Sequence, residues 1–380
     1  MADDSELVGS GSFRIDRRRA LEKLKEFQLP DPEMFLLPWI RCAVASGATG
    51  ITIEVDPRET YLRMSFDGRP YQRDELKAPY EALLSEARPE TTRNRYLAMG
   101  ILAVLRLRPT AVTVTSAGAG GSVCVRITSV GEEALEKSRD PSPGTVLQVE
   151  MAGAKHGTWR AALEHVVSGY RMRRAGLTIK YPPGLKDGQG QEQQAIRLSK
   201  TAPKGMFSEG PLWGWVAVPR AQIDARSALH LHQYGVAVET VEYNLAPVPV
   251  VAFVNDDGFT LNVSQTGVVR DDRFVAAQKA AQKAVADHLA KLLSSEARLQ
   301  DGRLRTLATL LSDDRAHAAW QACWNGNPPD TDGPLSGLEG VGWVMADVGV
   351  MAAQATPIVG LPLLGAGLVL GLLGMATSSP

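Results

Sequence analysis

Cysteine is scarce: Cys42, Cys124 and Cys323 are the only three in 380 residues, they lie far apart, and no C-x-x-C pair occurs. A disulfide framework is excluded, and a reducing, cytoplasmic setting is the expectation. An excess of charge is missing too, with 41 Lys and Arg against 42 Asp and Glu. So even a balance argues against a partner held by bulk electrostatics, nucleic acid above all. The start, Met1-Ala2-Asp3-Asp4-Ser5-Glu6, lacks the basic and apolar stretches of a secretory signal. No internal repeat is visible, and no Ser-His-Asp or Cys-His arrangement stands out. What is present is 44% apolar and 22% charged residues. That argues against a disordered chain and suffices for two buried cores.

One more absence marks the carboxyl end. Asp347 is the last charged residue, and 348–380 contains no Lys, Arg, Asp, Glu or His. Within it, 355–376 is long enough for a bilayer, which takes about 20 apolar residues. It carries Gly365, Gly367, Gly371 and Gly374, and small residues let membrane helices pack closely. Glycine at this density is costly in a water-exposed helix, so membrane contact is favoured over a helix buried against the body. Pro357 and Pro362 argue against a straight span before Leu363. No basic cluster flanks the segment, so its orientation stays open.

Pro/Gly-rich breaks at 182–190 and from Asn325 onward divide the chain. They leave folded blocks at 13–181 and 192–324, a linker at 325–340 and the apolar tail at 341–380. The first block opens with a helix capped by Asp16, with Leu21, Leu24 and Phe27 on one face. A second helix starts at Asp31-Pro32-Glu33, an acceptor, a first-turn proline and an acid at the positive end. Phe35, Leu36, Trp39, Ile40, Ala43 and Val44 form its apolar stripe, and Pro38 is expected to kink it. Ile51, Ile53 and Val55 alternate, and Tyr61–Ser65 returns as the second arm of a hairpin ending at Asp67-Gly68. A helix near 95–106 follows, then strands at 111–116, 123–128 and 145–151, a helix at 158–174 and a strand at 177–181. A helix pair followed by a mostly antiparallel sheet reads as an α+β two-layer sandwich. In the second block, 212–220, 236–243 and 249–254 read as strands, followed by a long helix near 271–293.

The order of these pieces resembles the GHKL superfamily, which includes gyrase, the ninety-kilodalton heat-shock chaperones, histidine kinases and MutL. Ala45–Ile53 is similar to the segment where the family's nucleotide helix enters its first core strand. Leu62–Gly68 sits where the family has its D-x-G box, and Gly144-Thr145-Val146 resembles its late G-T-x box. In the second block, Asn255-Asp256-Asp257-Gly258-Phe259-Thr260-Leu261-Asn262-Val263-Ser264 resembles the turn before the long helix of the chaperones' middle domain. The resemblance covers roughly 13–295 and implies a GHKL (Bergerat-type) two-layer α/β sandwich followed by a middle domain with a β-α-β-type S5-like fold. The family's carboxyl-terminal dimerisation domain has no counterpart.

The resemblance also shows what is missing. The family's catalytic glutamate falls at Pro38, its magnesium-binding asparagine at Cys42, its adenine-binding aspartate at Phe66 and its phosphate-reaching arginine at Gln265. Proline is no base and a thiol is a poor magnesium ligand. Asp67 is one residue late, and one residue along a strand turns a side chain to the other face. A pseudo-ATPase is therefore implied, with no catalytic residue and no metal. Any weak ATP or ADP contact would fall to Asp67, Gly68, Gly100 and Thr145. Each of these also has a plain structural reading as a hairpin turn, a close helix contact or an ordinary strand residue. The implied partner is a client protein, with a homodimer left open. One alternative is a membrane-tethered sensor or effector whose tail inserts in a bilayer; another is a functional ATP-binding chaperone with a shifted site. His230-x-His232 has metal-ligand spacing without an evident third ligand, and a solvated strand edge is preferred.

Overall fold

The structure is a computed structural model describing residues 16–86, 88–137, 143–181, 204–217, 227–242, 250–285 and 287. The break at 182–190, the linker at 325–340, the tail at 341–380 and the end of the expected 271–293 helix lie outside the described residues. Among the described residues no helix is long and apolar enough to cross a membrane. The architecture is mixed α+β. It divides into two compact units, the first taking in residues up to 196 together with 233–238 and 260–269.

In the first unit, helix α1 (Arg17–Phe27) starts where the Asp16 carboxylate accepts from the Arg19 N–H. Asp31 caps a short 3₁₀ turn at 32–35, which runs into α2 (Leu36–Ala45). This corrects the expected kink. Pro38 sits in the first turn of α2, where an N–H has no intrahelical acceptor, so its ring interrupts no bond of that helix. Strands β1 (Gly50–Val55) and β2 (Tyr61–Phe66) form the hairpin, with Ile51 opposite Phe66. Two short helices not foreseen from the sequence follow, α3 (Arg73–Lys77) and α4 (Glu81–Leu84). Then come α5 (Thr92–Leu105), β3 (Ala111–Gly118), β4 (Gly121–Ile127), β5 (Glu133–Glu136), β6 (Gly144–Glu150), α6 (His156–Gly169) and β7 (Gly176–Lys180).

The sheet order is β5-β4-β3-β6-β2-β1-β7, antiparallel except where β7 joins β1 in parallel. Period-two alternation sends Leu62, Met64, Val112, Val114, Leu147 and Val149 into the core shared with α2, α5 and α6. Arg63, Thr113, Thr115 and Gln148 face the other way. Helix α5 is buried along almost its whole length, as expected of a helix apolar on all sides. Helix α6 ends at Gly169, not at 174. The Tyr170 hydroxyl accepts from the Arg174 and Ala175 N–H groups at 2.9 and 2.8 Å, so a side chain turns the backbone where another helical turn was expected.

The second sheet, most of which belongs to the second unit, consists of strands β8 (Lys204–Glu209), β9 (Leu212–Ala217), β10 (Ala228–Gln233), β11 (Val236–Glu242) and β12 (Val251–Asn255); residues 233–238, from the end of β10 into β11, belong to the first unit. Their order is β11-β10-β12-β9-β8, with β10 parallel to β12. Helix α7 (Asp272–Ala284) is capped by Asp271, which accepts from the Arg273 and Phe274 N–H groups, and buries Phe274, Ala277 and Ala281. The turn before it is set by the buried Asp256. Its carboxylate accepts from the Gly258 N–H at 2.8 Å and from Arg273 at 3.0 Å.

Candidate functional site

Three of the four residues proposed to touch nucleotide come together at one end of the first sheet. Thr145 is paired across from Phe66, beside the Asp67–Gly68 turn. The backbones approach so closely that a side chain on Gly144 (φ +110°) would lie 2.6 Å from the Phe66 carbonyl oxygen. Gly68 (φ +122°) is held the same way, 2.9 Å from the Ser46 carbonyl oxygen at the end of α2. These glycines are therefore demanded by the backbone itself.

The Asp67 carboxylate is engaged within the fold. It accepts from the backbone N–H groups of Thr49 and Gly50 at 2.8 and 2.7 Å, and from the Thr49 hydroxyl. The Thr49 hydroxyl and the Gly50 N–H hold it below the usual carboxylate range. Asp67 thus ties the end of β2 to the start of β1. The one-residue offset from Phe66 has the consequence that alternation demands: Phe66 is buried in the core and Asp67 is exposed. The Thr145 side chain is buried as well, with its hydroxyl 2.9 Å from the Ser116 hydroxyl.

Gly100 is not part of this group. It lies on α5 directly beneath Trp39 of α2, and a side chain on it would overlap the indole ring. Trp39 is fully buried, donates its Nε1–H to the Leu97 carbonyl at 3.2 Å, and meets Phe35 edge-to-face at 5.1 Å. The glycine lets two helices approach with an aromatic ring between them, the close helix contact that was its plain structural reading.

The other positions singled out on α2 are also enclosed. Pro38 is buried. Cys42 is buried with its Sγ 3.0 Å from the Tyr71 hydroxyl, and burial pushes the thiol up to about 12. A neutral thiol of this kind is neither a nucleophile nor a metal ligand at ordinary pH. Burial also pushes the Tyr71 phenol well above its usual range.

Behind Tyr71 lies an ion pair that sequence reasoning missed. Arg93 on α5 is 3% exposed, stacks over the Tyr71 ring at 4.2 Å and donates to both Glu75 oxygens at 2.7 Å. It also donates to the Arg69 carbonyl at 2.6 Å. The available signal was the Gln72-x-x-Glu75 spacing, which forms a capping box at α3. Arg41 was missed too; it is 2% exposed and lies beside Tyr96 and the loop that carries Gln265.

Among the described residues no group of three or more His, Cys, Asp or Glu is placed to hold a metal. His230 and His232 both lie against Phe253, with ring centroids 4.3 and 5.6 Å away. On the sheet face opposite the helices, Arg63, Thr113, Thr115, Arg126, Gln148 and Glu150 line a polar hollow of about 500 Å³. None of Asp67, Gly68, Gly100 and Thr145 borders it. The chain matches no protein-family model and no curated protein.

Proposed function

We propose that the first unit is a degenerate GHKL domain, that the second corresponds to a heat-shock-chaperone middle domain, and that the chain is a chaperone-like protein-binding module without ATP hydrolysis. The observation that carries this reading is the occupation of the expected cleft by the protein's own side chains. Pro38 and a neutral Cys42 thiol stand where hydrolysis would need a base and a metal ligand, and the Trp39 ring lies over Gly100. Recognition of a client by surface contact requires neither group. Asp67, Gly68 and Thr145 stay grouped and are where residual ADP or ATP contact would fall; no metal is called for.

Titrating magnesium-ATP into the full chain, with a steady-state phosphate-release assay, tests this. Hydrolysis is expected at background level. The double variant Pro38→Glu, Cys42→Asn is expected to stay inactive, because Trp39 and Phe66 still fill the cleft and a buried carboxylate is driven neutral. Its ability to suppress aggregation of a heat-denatured protein is expected to be the same with and without ATP. Turnover well above background, abolished by Asp67→Asn, would overturn the reading.

The charge-free run 348–380 supports a second role, contact of 355–376 with a bilayer. Cell fractionation with and without 340–380 is expected to move the protein from the membrane pellet to the supernatant. Equal partition of the two forms would remove this role.

A further inference from the structure

We propose that Arg41 is the floor of an oxyanion site, built to take a phosphate group beneath the 262–267 loop. The argument begins with an imbalance. Burying a guanidinium costs several kcal/mol unless a counter-charge and good hydrogen bonds offset it. Arg41 is 2% exposed and forms no ion pair among the described residues. Its Nη1–H reaches the Gln265 side-chain oxygen at 3.5 Å and its Nη2–H the Ala237 carbonyl at 3.3 Å, both beyond the ordinary range. Its Nε–H has no partner.

The same unit shows what a buried arginine looks like when its role is structural. Arg93 is equally buried and its Nε–H also has no partner, but its two terminal nitrogens are satisfied by Glu75 and two backbone carbonyls at 2.6–3.4 Å, with a carboxylate among them. Arg41 lacks such a set, and what its geometry leaves open is a fork of N–H donors. That fork suits a planar or tetrahedral oxyanion. A phosphate, carrying about −1.5 to −2 charges near neutral pH, offsets the guanidinium more fully than a carboxylate does.

The covering loop is built to shift as one piece. The Asn262 side-chain oxygen accepts from the Thr266 and Gly267 N–H groups at 3.0 and 3.2 Å, and the Asn262 N–H donates to the Gly267 carbonyl at 2.9 Å. Its base is closed by the Val269 N–H to Thr260 carbonyl bond at 2.8 Å. All these bonds lie within the loop and travel with it. Its hold on Arg41 is the single long bond from Gln265, a residue in the left-handed region at φ +59°. Raising the loop gives up that one long bond to the guanidinium.

The proposal does not rest on the pseudo-ATPase reading, because binding is measured without turnover. Calorimetric titration of the full chain with inorganic phosphate, at ionic strength held constant with chloride, is expected to show saturable binding. Arg41→Met is expected to weaken it at least about tenfold while leaving the melting temperature equal or higher, since an apolar side chain replaces an uncompensated charge. Gln265→Gly is expected to bind phosphate several-fold tighter, because the latch is gone and glycine suits that backbone. Competition between phosphate and ADP assigns the anion to a nucleotide; binding unaffected by ADP assigns it to free phosphate. Absence of phosphate binding by the native chain, or undiminished binding by Arg41→Met, overturns the proposal. Should Arg41→Met fail to fold, an affinity unchanged in Gln265→Gly overturns it instead.

Discussion

Trp39→Ala is expected to lower the unfolding free energy of the first unit by about 3–5 kcal/mol, the range for truncating a buried aromatic ring. The ring is fully enclosed, meets Phe35 edge-to-face and donates a hydrogen bond to the Leu97 carbonyl. Truncation removes all three contributions and leaves a void between α2 and α5. Trp39→Phe keeps the aromatic contact and loses the hydrogen bond, so a smaller drop is expected. The informative companion is Gly100→Ala. Its methyl group would be driven into the indole, and overpacking of this kind costs about 1–3 kcal/mol. In the double variant the methyl enters the space that the indole vacates. The two losses are therefore expected to sum to more than the double variant shows, by an interaction energy of about 0.5–3 kcal/mol. Urea unfolding of the four proteins checks this. Additive losses would mean that the space at Gly100 serves something other than the ring above it.

The same pair of residues shows where the sequence was legible and where it was not. Alternation in Ile51–Val55 and Tyr61–Phe66 is a local signal, because successive side chains of a strand face opposite ways whatever lies beyond. Asp16 and Asp31 were legible for a related reason: a cap and the N–H it satisfies lie within three residues. Gly100 was not. A glycine in a helix leaves room for a ligand or for a neighbouring ring, and only the packing of α2 on α5 decides between them. The short helices α3 and α4 span too few turns to impose a period, and the end of α6 depends on where the Tyr170 hydroxyl points. The arginines were hardest. Arg93 finds Glu75 at a separation of 18 residues, and Arg41 meets Gln265 across 224. Arg41 is the one charged residue between Glu33 and Glu54, and Arg93 opens the largely apolar α5, so the neighbours hinted at burial while the distant partners had no local signature. Positions 38, 42 and 66 were singled out by the resemblance alone. What fills the space around them emerged only with the packing.

Removing Glu75 is also expected to be costly, by a different route. Deleting one member of a fully buried ion pair costs about 3–5 kcal/mol, because the remaining charge is stranded. Arg93 is buried but the Glu75 side chain is 23% exposed, so solvent screens part of this and a loss at or below the low end is expected. Glu75→Ala would leave Arg93 with backbone carbonyls alone and would also dissolve the cap at Gln72. Glu75→Gln still offers an amide oxygen to Arg93, so its loss at neutral pH is expected to be smaller. The pH dependence separates charge from packing. Burial by itself raises the Glu75 carboxyl, but the Gln72 N–H, Arg93 and Asn94 outweigh it and hold it below the ordinary value. A carboxyl lowered on folding binds its proton more readily in the unfolded chain. Its contribution is therefore complete above the unfolded carboxylate range, near pH 4.3, and is lost as the pH falls through the folded value. Urea unfolding between about pH 3 and 7 should show both variants with a flatter acid limb than the native chain. If Glu75→Gln kept the native slope while losing stability, the pair would be acting by shape and hydrogen bonding, and the charge on Arg93 would be balanced by the carbonyls of Arg69 and Pro70 without the carboxylate.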